Sequence, residues 1–175
     1  TAYRETLAEA YRSQEKYELA IREYRTLASA APETKTYKLA LADVLVENEV
    51  YAEAKSLYQE LRTQQPDDAQ LIARVGELEL KRGNFSEASL QLEKALDMNP
   101  DLTGVRGLLA EAYDGASNYS KAIDAYNAAV KELRRGSDST QTRRTATRRS
   151  TSASERLSTY LQNLGRLHMQ LGQYD

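Results

Sequence analysis

Short runs of apolar residues at three- and four-residue steps recur along most of the chain. Leu7 and Tyr11 form one such run, and Tyr17, Ala20, Ile21, Tyr24 and Leu27 form the next. That spacing places the apolar side chains on one face of a 3.6-residue helix, so each run predicts an amphipathic helix. Continued along the chain, the pattern predicts helices over 2–14, 18–31, 35–48, 52–65, 69–82, 86–98, 103–115, 120–135 and 155–171. No strand pattern interrupts them.

A shift of 34 residues superimposes the pattern on itself. Ala8, Ala42, Gly76 and Ala110 form one column, and Ala20, Ala54, Ala88 and Ala122 another. Tyr17, Tyr51, Phe85 and Tyr119 align, as do Tyr24, Tyr58, Leu92 and Tyr126, and Leu27, Leu61, Ala95 and Ala129. Pro32, Pro66 and Pro100 close three units, and Arg134 stands in that column of the fourth. Each unit reads as two antiparallel helices. Small residues sit where the pair must approach closely, and proline ends the second helix by disfavouring helix in the residue before it.

These columns resemble the tetratricopeptide repeat family. The resemblance covers 1–135 as four units (1–34, 35–68, 69–102 and 103–135). It implies an all-α fold, a right-handed superhelical solenoid of helix pairs. The family's usual Trp is absent, and Arg4, Lys38, Ile72 and Arg106 stand in its column. The adjacent column Tyr3, Tyr37, Leu71 and Val105 supplies the apolar bulk. The pattern resumes in LQNLGRLHMQLGQYD, where Gly165 lies 55 residues after Ala110. Residues 155–175 therefore read as the opening of a fifth unit, in a natural chain expected to continue. Between the units, 136–154 reads as a disordered basic insertion rich in Ser, Thr and Arg, with Arg143, Arg144, Arg148 and Arg149 in two pairs.

One column does not fit packing. Glu9, Asp43, Glu77 and Glu111 directly follow the small residue of each first helix. The resemblance implies that first helices line a concave groove and that this position points into it. The expectation is an acidic ladder, with Leu39, Val46, Ala73 and Leu80 as apolar neighbours. A ladder of that kind suits a basic, extended peptide or protein partner. Arg166 takes the position in the fifth unit and would end the ladder. Family members that bind chaperone tails clamp a terminal carboxylate with Lys and Asn. Glu5 and Glu9 occupy that helix face here, which argues against that ligand.

Composition narrows the chemistry further. Among 175 residues, 41% are apolar and 29% charged, with no Cys and one His. Disulfides, thiolate metal sites and cysteine catalysis are excluded, and His168 falls in the packing column of Tyr11, Leu45, Glu79 and Tyr113. Acids on successive units lie a helix spacing apart, about 8–10 Å, too far to share one calcium ion. No cofactor motif, catalytic constellation or membrane-length apolar run is present. Residues 1–135 carry 18 Lys and Arg against 23 Asp and Glu, whereas 136–175 carry 6 against 3. An acidic body does not suit nucleic acid. The basic segment reads first as an inert insertion; the alternatives are a loop that folds back on the groove and a regulated loop with a basophilic kinase-like site at Arg148-Arg149-Ser150-Thr151 or a nucleic-acid contact.

The reading is a non-catalytic interaction scaffold. The alternative is the substrate-docking part of a larger enzyme whose catalytic domain lies outside this chain. Self-association through the exposed half unit at the C-terminus is a further expectation.

Overall fold

The computed structural model describes residues 2–140 and 147–172, with side chains described for 2–136 and 153–172. Nine helices are found among them: α1 (Ala2–Ser13), α2 (Tyr17–Ala30), α3 (Lys35–Glu47), α4 (Tyr51–Gln64), α5 (Ala69–Lys81), α6 (Phe85–Met98), α7 (Val105–Gly115), α8 (Tyr119–Thr140) and α9 (Thr147–Gln170). Each packs on the next in chain order. In addition α3 touches α5, and α5 touches α7, so first helices of neighbouring pairs adjoin along one side of the stack. The tetratricopeptide resemblance makes that side the inner face.

The small columns fulfil their packing role. Ala8, Ala42, Ala110, Ala20, Ala54, Ala88 and Ala122 are completely buried. A Cβ added at Gly76 would lie 2.7 Å from Leu92 Cγ, so that pair of helices is in still closer contact. Two apolar clusters form the core and meet at α5. Leu71, Val75 and Leu78 face the N-terminal cluster, and Ile72 and Ala73 face the C-terminal one. In the column where the family usually has Trp, Arg4, Lys38 and Arg106 each pair with an acid of their own second helix: Glu23 (2.7 Å), Glu60 (2.7 Å) and Glu132 (3.2 Å).

The turn inside each pair is fixed by the main chain. Lys16, Val50, Asn84 and Asn118 donate their N–H to the carbonyls of Tyr11, Leu45, Glu79 and Tyr113 at 2.8–2.9 Å. The preceding residues Glu15, Glu49, Gly83 and Ser117 are all left-handed, with φ of 58°, 61°, 77° and 59°. This is a Schellman termination repeated at the 34-residue period. Only the third unit has the glycine that such a φ favours. Gly172 (φ 66°) ends α9 in the same conformation.

The sequence predicts no helix over 136–154, and here the structure differs. Helix α8 reaches Thr140 and α9 begins at Thr147. Helices α2, α4 and α6 end two residues before Pro32, Pro66 and Pro100, but Arg134 leaves α8 without that stop. Ser, Thr and Arg each cost at most about 0.7 kcal/mol relative to Ala in a helix, so a helix nucleated on a packed face can propagate through them. A lack of apolar side chains means a lack of burial, not of helix. Arg143 and Arg144 lie outside the described residues. Arg148 and Arg149 lie on α9, where only the backbone is described.

The fifth unit is anchored by Tyr160. Its ring lies 5.5 Å from that of Tyr126 and occupies the space that a Cβ at Gly107 would need. Asn163 donates to the Tyr126 hydroxyl at 2.9 Å.

Candidate functional site

The inner face opens into a cleft of about 380 Å³ between the first three helix pairs. Its walls come from α1 (Arg12), α2 (Tyr17), α3 (Asp43, Val46, Glu47), the following turn (Glu49), α4 (Tyr51, Tyr58) and α5 (Arg74, Glu77, Lys81). Helical periodicity explains the grouping. Glu77 and Lys81 are four residues apart on α5 and Arg74 is three before Glu77, so all three share one face.

Two of the four lining acids are already engaged. The Tyr58 hydroxyl donates to Asp43 at 2.7 Å, and the Arg74 guanidinium donates to its other oxygen. Burial raises the Asp43 carboxyl, and Arg74 and Tyr58 oppose that rise. The Tyr58 hydroxyl is itself pushed up by burial and by Asp43. On the rim, Arg12 grips Glu47 with Nε at 2.9 Å and a terminal nitrogen at 2.5 Å. That bond joins α1 to α3 and raises the arginine's pKa.

Glu77 stands apart. It is half-buried and receives no hydrogen bond or ion pair among the described residues. Burial raises its carboxyl and Asp43 raises it further, while Lys81 and Arg74 pull the other way. Glu111 is exposed by area but crowded by the surrounding helices. Desolvation raises its carboxyl against the pull of Lys81, with Glu77 and Asp114 adding to the rise.

The sequence-predicted residues distribute as follows. Asp43, Glu77 and Val46 meet in the cleft. Glu9 is exposed on α1 and Glu111 on α7, both outside the lining. Leu39 packs against the N-terminal core, Ala73 is buried in the C-terminal core, and Leu80 packs against the latter. Arg166 turns to Asp114 on α7. The cleft's tyrosines stand in the aligned columns, but its cations have no such signal, because Arg12, Arg74 and Lys81 have no like residue one period away. Their signal was local: each sits one helical turn from a ladder acid. Among the described residues no three His, Asp or Glu side chains gather closely enough to hold a metal, and no helix is long and apolar enough to cross a membrane.

A sequence profile of the tetratricopeptide repeat matches residues 5–69 and 76–139, together more than half of the chain. The chain belongs to the tetratricopeptide repeat family. Solved structures agree in fold. A tetratricopeptide repeat protein from Parabacteroides merdae ATCC 43184 superimposes with a TM-score of 0.68 at 17% identity, over 98% of this chain and 59% of that one. This chain thus spans less than two thirds of that relative. MamA from Desulfovibrio magneticus RS-1 superimposes with a TM-score of 0.62 at 18% identity, over 94% of both chains. MamA from AMB-1 gives 0.64 at 16% identity, over 98% of this chain and 82% of that one. No curated protein matches in sequence at a significant level. The tetratricopeptide fold is that of a protein–protein interaction scaffold.

Proposed function

We propose that this tetratricopeptide segment is a non-catalytic scaffold whose inner cleft docks an extended segment of a partner protein. The cleft with the half-buried, undonated Glu77 carries the reading. A polar group held partly out of water without a partner costs free energy that an incoming donor recovers. The volume of about 380 Å³ is at the lower end of ligand pockets and suits one long side chain with its flanking backbone, not a docked helix. The Asp43–Arg74 and Arg12–Glu47 pairs hold the walls and so limit the ordering cost of binding. Exposed acid–cation contacts contribute only about 0.2–1 kcal/mol each. Charge therefore orients the segment, and Val46 with the tyrosine walls supplies apolar contact.

The test is selection of a displayed random-peptide library on this chain, followed by amide chemical-shift mapping of the enriched peptides. Saturable binding that shifts the amides of Tyr17, Tyr51 and Lys81 supports the cleft as the docking site. Failure to enrich any peptide over a control protein, or mapping to the outer surfaces of α2 and α4, overturns it.

A further inference from the structure

In each unit the ladder acid is followed fifteen residues later by the column Tyr24, Tyr58, Leu92 and Tyr126. The helix pair brings these two columns together. Tyr58 donates to Asp43 at 2.7 Å. Glu9 and Glu111 act electrostatically on the hydroxyls of Tyr24 and Tyr126, though among the described residues neither acid receives a hydrogen bond from its tyrosine. The third unit alone lacks the tyrosine. Leu92 replaces tyrosine and is fully buried over Gly76, which itself replaces alanine. Leucine has no hydroxyl, so Glu77 has lost the donor that the second unit supplies to its acid.

The loss falls inside the cleft. After Arg12–Glu47 and Arg74–Asp43 are paired, the lining leaves Glu49 and Glu77 against Lys81, with Glu111 one unit further on. An anionic ligand would find both arginines occupied and only exposed Lys81 to meet it. A cationic ligand finds a carboxylate without a donor among tyrosines. Guanidinium fits this setting better than ammonium, because it is planar, offers several donors and stacks on aromatic faces.

We propose that Glu77 is the anchor of an arginine pocket: the docked partner segment places an arginine side chain in the cleft, its guanidinium donating to Glu77 where the second unit has a tyrosine hydroxyl. This rests on the cleft being the docking site. Leu92 acts as a specificity-determining residue from behind, by leaving Glu77 unsatisfied.

The test uses the full chain and three blocked tripeptides, Ala-Arg-Ala, Ala-Lys-Ala and Ala-citrulline-Ala, titrated by amide chemical shifts at low salt. Citrulline keeps the shape of arginine and removes its charge. The expected result is saturation by the arginine peptide centred on α5 near Glu77, with the citrulline peptide about three- to ten-fold weaker and the lysine peptide between them. Glu77→Gln should abolish that ranking while leaving the thermal melting cooperative. Equal binding of arginine and citrulline peptides, no binding of the arginine peptide at tens of millimolar, or a ranking that survives Glu77→Gln each overturns the anchor. Library-selected peptides separate this failure from that of the docking reading. Peptides that occupy the cleft and bind Glu77→Gln unchanged sink only the arginine pocket. A cleft that takes no peptide sinks both.

Discussion

Glu77 and Glu79 lie two residues apart on α5, so they point to opposite sides of the helix, about 200° apart. On the buried side, Glu79 is 2% exposed and receives Lys55 at 2.9 Å, Arg82 at 2.8 Å and Asn84 at 2.6 Å. Burial pushes its carboxyl up, but the donors outweigh that and leave it lowered. On the cleft side, Glu77 suffers desolvation without donors, and its carboxyl is raised. Burial alone therefore does not mark a functional acid. The count of donors separates the two acids, and it divides one helix into a face whose carboxylate is saturated and a face whose carboxylate is not.

The largest effect should come from breaking the saturated face. Glu79→Ala is expected to cost about 2–3 kcal/mol in urea unfolding, because Asn84 and two cations lose their acceptor. The cost falls short of a deeply buried pair because Lys55 and Arg82 remain partly exposed and can rehydrate. Glu79→Leu should cost less, since Leu45 fills the same position one unit earlier and is fully buried there. Equal losses for both variants would mean that the ion cluster, not the volume, holds the α5–α6 turn.

Next come the two glycines of the small column. Gly76→Ala forces its Cβ against Leu92 and should destabilise by about 1 kcal/mol, the overpacking cost less the gain in helix propensity. A Cβ at Gly165 meets nothing within 4 Å, so Gly165→Ala should stabilise by up to about 1 kcal/mol. Opposite signs in thermal melts would show that closeness to the second helix, not helix propensity, sets the residue at this position.

The smallest effects concern pH. Glu79 has a folded pKa below its unfolded value, so its stabilisation is present above the ordinary Glu range and is lost as pH falls through the lowered folded pKa. Glu77 and Asp43 act with opposite sign. Their folded pKa values are raised, so stability drops as pH rises from the ordinary carboxylate range through the raised values. Glu77→Gln should therefore be more stable than the parent by a few tenths of a kcal/mol at neutral pH, with the gap closing on acidification. Parallel pH–stability curves for the two proteins would remove the desolvation argument for Glu77.

The helices were legible because burial imposes a period, and the small columns were legible because close packing admits few residues. The turns were less so. Glu15, Glu49 and Ser117 adopt the left-handed conformation that glycine alone would have announced. Arg134 in the proline column foreshadows the run of α8 past residue 135, but that stretch has few apolar side chains to give a helical period. The acidic ladder was visible as a column. That Tyr58 and Arg74 neutralise its second member was not, because those contacts join residues fifteen and thirty-one apart. Periodicity in one helix carries no information about a donor arriving from another.

The repeated left-handed turn has one further consequence. Its hydrogen bonds join main chain to main chain, so side chains as different as those of glutamate, glycine and serine occupy the joint at nearly the same φ. Glu49 is such a joint and also lines the cleft. A substitution there recuts the wall of the cleft as one recuts the bit of a key, while the blank and its pitch stay as they were.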